Sequence, residues 1–417
     1  MTGSAEEVED PARRSGRVTG GDCTGIGHGI VASVGRTGVG RDGRRTIGPV
    51  IDRIVDRALH TVGEPRPHPA SRAAQDLHGL VPIVDLLVGT VLFRRTFLER
   101  SSVGHVDLPR LREGGVNLVG MSIATRFPDR RGTLSAAQFL SLGVPARVLG
   151  SDIGMIEHMI GRIDGWAASS EGRFRVVRGA SDLDAVLAPG GPVGAFVGVQ
   201  GGQVLAGSPD RMARALARLR AGGVRMVALA HVMDNPLAGS GTGRRAGGLS
   251  ALGRRAVGGL ETSGMLVDLA HASSATIRDA VPVLARPPVL SHTGFVERAA
   301  RPSRWRRYSA ASRNVHMADA RLVSEAGGVV GVTTAVSLLG GDTPQDLVDT
   351  VRFAIDELGA GHVAIGSDMD GALRSVIDAA GFPVLTDGLL AAGVRDADVA
   401  AVLGGNAIRM LRAVMAG

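Results

Sequence analysis

From about residue 80 onward the chain repeats one pattern eight times: a run of Val, Ile and Leu closed by Gly or a polar residue. The runs read "VPIVDLLVG", "VNLVGMSIAT", "PVGAFVGVQGG", "RMVALAHV", "GMLVDLAH", "PPVLSHTG", "GVVGVTTAVS" and "HVAIGSDMDGA". They are nearly continuous rather than alternating, which is how strands covered on both faces read. Helical patterns lie between most of them. The clearest spans Ser208–Arg220: Ser208 is placed to cap, Pro209 sits at the first helical position, and Met212, Ala215, Leu216 and Leu219 form one stripe before Gly222 and Gly223 end it. Other helices are expected near 136–166, 249–262, 274–285, 317–326, 344–358 and 405–415. Eight strands alternating with helices over about 330 residues predict an α/β fold, a (βα)8 TIM-type barrel. A doubly wound open sheet is the alternative, weakened because no phosphate-binding glycine fingerprint follows a strand.

Residues 1–70 do not share this rhythm. They are rich in Gly and Arg, and their one helical pattern is Pro49–His60, where Ile51, Ile54, Val55 and Leu59 share a face. The expected organisation is a flexible extension over 1–70 and a barrel over 71–417. Composition enters as exclusion. The 47 basic residues are all Arg, and they outnumber 40 acidic ones by seven. They are spread along the chain without aromatic interleaving, so nucleic acid is not an expected partner. The densest run, "RPSRWRR" at 301–307, reads as a solvated loop. One cysteine, Cys23, makes no internal disulfide. No apolar run approaches a membrane span, and the opening "MTGSAEEVED" is unlike a secretory leader, so the expectation is a cytoplasmic protein without membrane partners.

In barrels of this type the chemistry sits at the C-terminal ends of the strands. The third run ends at Gln200, the fourth at His231, the fifth at His271, the sixth at His292 and the eighth at Asp368. A single histidine at a strand end is usually a packing residue. Three on consecutive strands, joined by an aspartate, point to one shared polar site.

These stretches resemble the renal, or membrane, dipeptidase family of zinc peptidases, within the amidohydrolase-like barrels. The resemblance covers roughly residues 75–417. It is carried by "GHVDLPRLREGGV" (104–116), "AHVMDNP" (230–236), "GMLVDLAHAS" (264–273), "PPVLSHTG", "SRNVHMADARLV" (312–323), "HVAIGSDMDG" (362–371) and "LGGNAIRMLRAV" (403–414). It implies that His271 and His292 stand where two zinc-binding histidines belong. It places His231 at a histidine contacting substrate and the tetrahedral intermediate, and Arg313 at the arginine that binds the substrate carboxylate. Asp368 falls at the aspartate that handles the proton of the attacking water. These residue types suit those roles. The family also implies a homodimer.

The departures are specific. The family's first strand ends in a His-x-Asp ligand pair, and this chain has Leu87 and Gly89 there. The family's bridging glutamate is Gln200. Three of the five ligands implied by the resemblance are changed, each losing charge or basicity. A buried carboxylate is tolerated beside a cation and costly without one, so the losses are mutually consistent. The expectation is no cofactor, or one zinc or other divalent metal, rather than a two-metal centre. The ligand would be a dipeptide or amide-like small molecule, with metallodipeptidase activity weak or lost. The alternative is an active mononuclear metal-dependent hydrolase using His271, His292 and Asp368. Recruitment of the barrel for metal-independent chemistry is a third. Asp370 and Gly371 read as shaping the loop after the last strand, Asp234 and Asn235 as a turn, and His105 as structural. His28, His60, His68 and His78 read as solvent-exposed.

Overall fold

The structure is a computed structural model describing residues 70–415 except 94, 127–138, 141 and 300–309. The Pro49–His60 pattern, Cys23, His28, His60, His68 and the 301–307 run lie outside the described residues.

All eight runs form strands: β1 (Ile83–Val88), β2 (Val116–Ala124), β4 (Val193–Gln200), β5 (Val224–Ala228), β6 (Leu266–Asp268), β7 (Val289–Thr293), β8 (Val329–Val332) and β9 (Val363–Ile365). Each pairs in parallel with its neighbours, and the ring closes through β1–β9 and β2–β4. A short extra strand, β3 (Phe174–Val176), pairs with the start of β4 outside the ring. The fold is therefore a closed eight-stranded parallel barrel, as expected, with β3 as an unforeseen addition.

One cluster takes a buried side chain from every barrel strand: Val84 and Leu86, Leu118, Phe196, Met226, Leu266, Val289, Val329 and Ala364. That is the barrel interior. Ala407, Met410, Leu411 and Val414 of the helix Asn406–Met415 pack into the same cluster and plug one end. Gly120 makes room there, since a Cβ would lie 2.6 Å from the Phe196 ring and 2.1 Å from the Leu86 carbonyl oxygen. Burying one such ring contributes roughly 1.5–3 kcal/mol. A second, larger cluster fills the space between strands and outer helices.

The helix Pro209–Ala221 starts as its sequence signals, with Ser208 Oγ accepting from the Arg211 amide and the expected stripe buried. Two helices differ from expectation for local reasons. The 136–166 pattern yields Asp152–Ser169, because Pro145 and the left-handed Gly150 (φ 81°) precede the Ser151 cap. The 274–285 pattern stops as an α-helix at Ala280, where Pro282 cannot donate and a 3-10 turn takes over. No described helix is long and apolar enough to cross a membrane.

Candidate active site

The barrel brings the strand-end residues together at its open face. Gln200 is the last residue of β4 and His292 lies within β7. His231, His271 and Asp368 each follow their strand by three residues. His231 and His271 meet edge to face with ring centres 4.5 Å apart, and His271 and His292 do so at 5.0 Å. The Nε2 atoms of His271 and His292 are 3.1 Å apart. Asp368 Oδ2 lies 4.0 Å from His292 Nε2. Arg313, closing the short helix Ala310–Arg313, donates from Nη2 to the His292 carbonyl at 2.9 Å, and its Nε has no protein partner.

Burial governs the protonation of this cluster. It pushes His231 down to about 4, against the opposing pull of the Arg126 carbonyl bonded to its Nδ1 at 3.1 Å. Burial, reinforced by Arg313, holds His271 and His292 well below the usual imidazole range. Burial also raises Asp368 from 3.8 to about 7, with Arg313 opposing and Asp85 reinforcing. Near neutral pH the site is three neutral imidazoles beside a carboxyl poised to exchange a proton. Because its imidazole is neutral, the His292–Asp368 approach is not an ion pair.

The backbone at this face is strained. His271 (φ 63°), Asp368 (φ 58°) and Asp370 (φ 61°) are non-glycine residues in the left-handed region, which costs on the order of 1 kcal/mol each. Long-range bonds hold them there. Asp370 takes Arg95 Nη1 at 2.6 Å, Thr90 Oγ1 at 2.8 Å and the His105 amide at 2.7 Å. The Asp370 amide donates to His105 Nδ1 at 3.1 Å. Asp370 thus shapes the last loop, and His105 serves as its structural partner. Asp234 and Asn235 tie down the loop after β5 by accepting from the amides of Ser240 and Leu237 at 2.9 and 2.8 Å. His78 corrects the expectation: it is half-buried against Thr386, its Nδ1 lacks a partner, and burial lowers it to about 4.

Two buried aspartates went unassigned in the sequence. Asp268 accepts from the amides of Ala270 and Ser291, each at 2.9 Å, and from Ser291 Oγ at 2.5 Å. Asp85 accepts from the amides of Leu87 and Ser367 at 3.1 and 2.8 Å, and from Ser367 Oγ at 2.5 Å. The available signal was the repeated "VDL" at 84–86 and 267–269.

The donors fit a two-metal centre poorly. Leu87 is fully buried and offers only its backbone, accepting from the Asp368 amide at 3.0 Å. A Cβ on Gly89 would lie 2.6 Å from the Asp370 carbonyl oxygen, so backbone occupies the space a side chain would need. Gln200 is buried, and its Oε1 has no partner. Among the described residues, no three His, Cys, Asp or Glu side chains converge as a ready metal cage. His271 and His292 are the pair with ligand-like spacing, since two imidazoles on one tetrahedral zinc stand roughly 3.3 Å apart.

Comparison with known proteins agrees with the barrel fold. Residues 71–416 match the description membrane dipeptidase (peptidase family M19). The chain is 30% identical over 322 residues to the dipeptidase verJ of Clonostachys rogersoniana, covering 75% of this chain and 76% of that protein. Its fold is similar to that of the probable dipeptidase PvdM from Pseudomonas aeruginosa (TM-score 0.68, 18% identity, 83% of this chain and 98% of that one). It is also similar to a metallopeptidase from Rhodobacter sphaeroides liganded with a phosphinate mimic of the dipeptide L-Ala-D-Ala (TM-score 0.65, 22% identity, 80% and 99% covered). With the matched region spanning the whole barrel and its strand-end cluster, the chain belongs to the membrane dipeptidase family, peptidase family M19.

Proposed function

We propose that this protein binds a dipeptide or amide-like small molecule at the open face of the barrel, with two-metal dipeptide hydrolysis weak or lost. The observation carrying the proposal is the β1 end, where Leu87 and Gly89 replace the expected ligand pair and the Asp370 backbone closes the space. Gln200 supports it, because a neutral amide avoids burying a carboxylate without a cation. In this reading Arg313 clamps the ligand's carboxylate with its planar fork. His231 contacts the amide, and Asp368 holds or releases a proton according to the charge brought to it.

The Nε2 spacing of His271 and His292 favours a second reading, an active mononuclear hydrolase in which these two and Asp368 hold one divalent cation. Such a cation, when bound, supplies Lewis acidity. Asp368 would then take a proton at its carboxylate, and His231 would stabilise the developing oxyanion.

The deciding experiment challenges the purified protein with zinc, desalts it, counts metal per chain, and titrates it with L-Ala-D-Ala. Dipeptide binding with no retained metal supports the first reading. One retained ion, lost in His271→Ala together with turnover, supports the second. Two retained ions would refute both, and absence of dipeptide binding with or without zinc would refute the ligand assignment.

A further inference from the structure

We propose that Asp268 and Ser291 are positioning residues that fix the tautomer of His292 and so present its Nε2 lone pair to the site. This deepens the reading of the site given above and rests on it for its functional consequence. The chain of contacts is continuous and buried. Ser291 Oγ donates to Asp268 Oδ2 at 2.5 Å, so it must accept from its other neighbour, His292 Nδ1, at 2.8 Å. Burial raises the proton affinity of Asp268 while the three hydrogen bonds donated to it oppose that rise; with Asp268 ionised its carboxylate accepts only, which sets the direction of every bond. His292 then carries its proton on Nδ1, leaving Nε2 as an acceptor. The 3.1 Å contact between the two Nε2 atoms requires one donor and one bare acceptor, and this assignment makes His271 the donor. His271 has no equivalent support, because its buried Nδ1 lacks a partner. Of the two imidazoles, His292 is therefore the preset one and His271 the adaptable one.

The same device occurs a second time. Asp85 on β1 holds Ser367 by amide and hydroxyl as Asp268 on β6 holds Ser291, and each serine immediately precedes a site residue, Asp368 or His292. The repeat supplies a control: Ser367→Ala removes an equally buried hydroxyl that likewise bonds its aspartate at 2.5 Å but accepts from the Met369 amide instead of an imidazole.

The test reads ring tautomers directly, by nitrogen-15 NMR of protein labelled in its histidine rings and kept free of metal. The His292 signal is the one missing from His292→Gln. In the wild type His292 should be Nδ1-protonated. Asp268→Asn is isosteric and should reverse the chain. The amide nitrogen would donate to Ser291 Oγ, the hydroxyl would turn to donate to His292 Nδ1, and the proton would move to Nε2. A carboxylate-to-amide change in a histidine-orienting position is known to impose the wrong tautomer with geometry intact. Ser291→Ala should leave His292 a mixture of tautomers, and Ser367→Ala should leave its signal unchanged. Zinc affinity, measured by chelator competition, should fall roughly 10–100-fold in both Asp268→Asn and Ser291→Ala. An Nε2-protonated His292 in the wild type, or a signal indifferent to Asp268→Asn, overturns the proposal. Equal disturbance by Ser367→Ala would reduce it to general destabilisation and also overturn it. If the wild type takes up no zinc, the mononuclear reading is what falls, while the tautomer readout still decides this proposal.

Discussion

Asp368→Asn should stabilise the metal-free protein at alkaline pH and do almost nothing under acid conditions. Asp368 is buried, and its ordinary value of 3.8 rises to about 7 in the fold. The sign follows from linkage. Between the two values the unfolded chain has lost this proton and the native chain keeps it, so native stability is full below 3.8 and drains away as pH rises through about 7. At roughly 1.36 kcal/mol per pH unit, the step from 3.8 to about 7 amounts to about 4 kcal/mol. Asparagine has no charge to bury and tolerates the left-handed backbone that Asp368 adopts (φ 58°). Urea unfolding of wild type and variant in chelator, at about pH 4, 6 and 8, gives the difference directly. The variant's advantage should grow from near zero to about 3 and then about 4 kcal/mol across that series. A difference that stays flat across the series would refute the reasoning, because it would mean that Asp368 ionises in the fold as readily as in water. Added zinc should shrink the advantage if the site holds a cation, since the charged carboxylate then has a partner.

Two further outcomes follow from the closure of β1 on β9. Gly89→Asp should lower stability by about 1–3 kcal/mol in urea melts and fail to restore zinc binding even with Leu87→His and Gln200→Glu, because its Cβ would press on the Asp370 carbonyl at 2.6 Å. A variant that melts like the wild type would show that the loop gives way freely. Arg95→Met should cost about 3–5 kcal/mol by leaving the buried Asp370 carboxylate without the guanidinium it holds at 2.6 Å, and pairing it with Asp370→Asn should recover part of that loss in the same melts.

The barrel was legible because its signals are local: apolar runs of strand length, Ser and Pro at helix starts, Gly at their ends. The extra strand β3 was not, since three residues, Phe174–Val176, carry no period to read. The site was legible to the same depth. His231, His271, His292 and Asp368 stand at strand ends, and strand ends are visible in sequence. What holds them is not. Arg95 and Asp370 are 275 residues apart, and Asp85 and Ser367 are separated by 282, so no local pattern links either pair. His78 failed as an exposed residue for the same reason, because its partner Thr386 is 308 residues away.

This division between visible site residues and hidden supports bears on how such a site keeps its shape when the side chains at its strand ends differ. Leu87 is fully buried beneath the open face, so an apolar side chain there is paid for by packing, and nothing in the fold suffers from the missing imidazole. Asp85 stands two residues earlier and behaves oppositely. Burial raises it to about 6, and the bonds from Ser367 and Leu87 oppose that rise. Replacing it would strand the Ser367 amide inside the barrel, an unsatisfied group costing about 1–3 kcal/mol. An apolar side chain at Leu87 is therefore cheap to keep, while the staples beneath it are bound into the core. The serines that precede His292 and Asp368 are thus held by bonds within the barrel core, independently of the side chains at Leu87, Gly89 and Gln200.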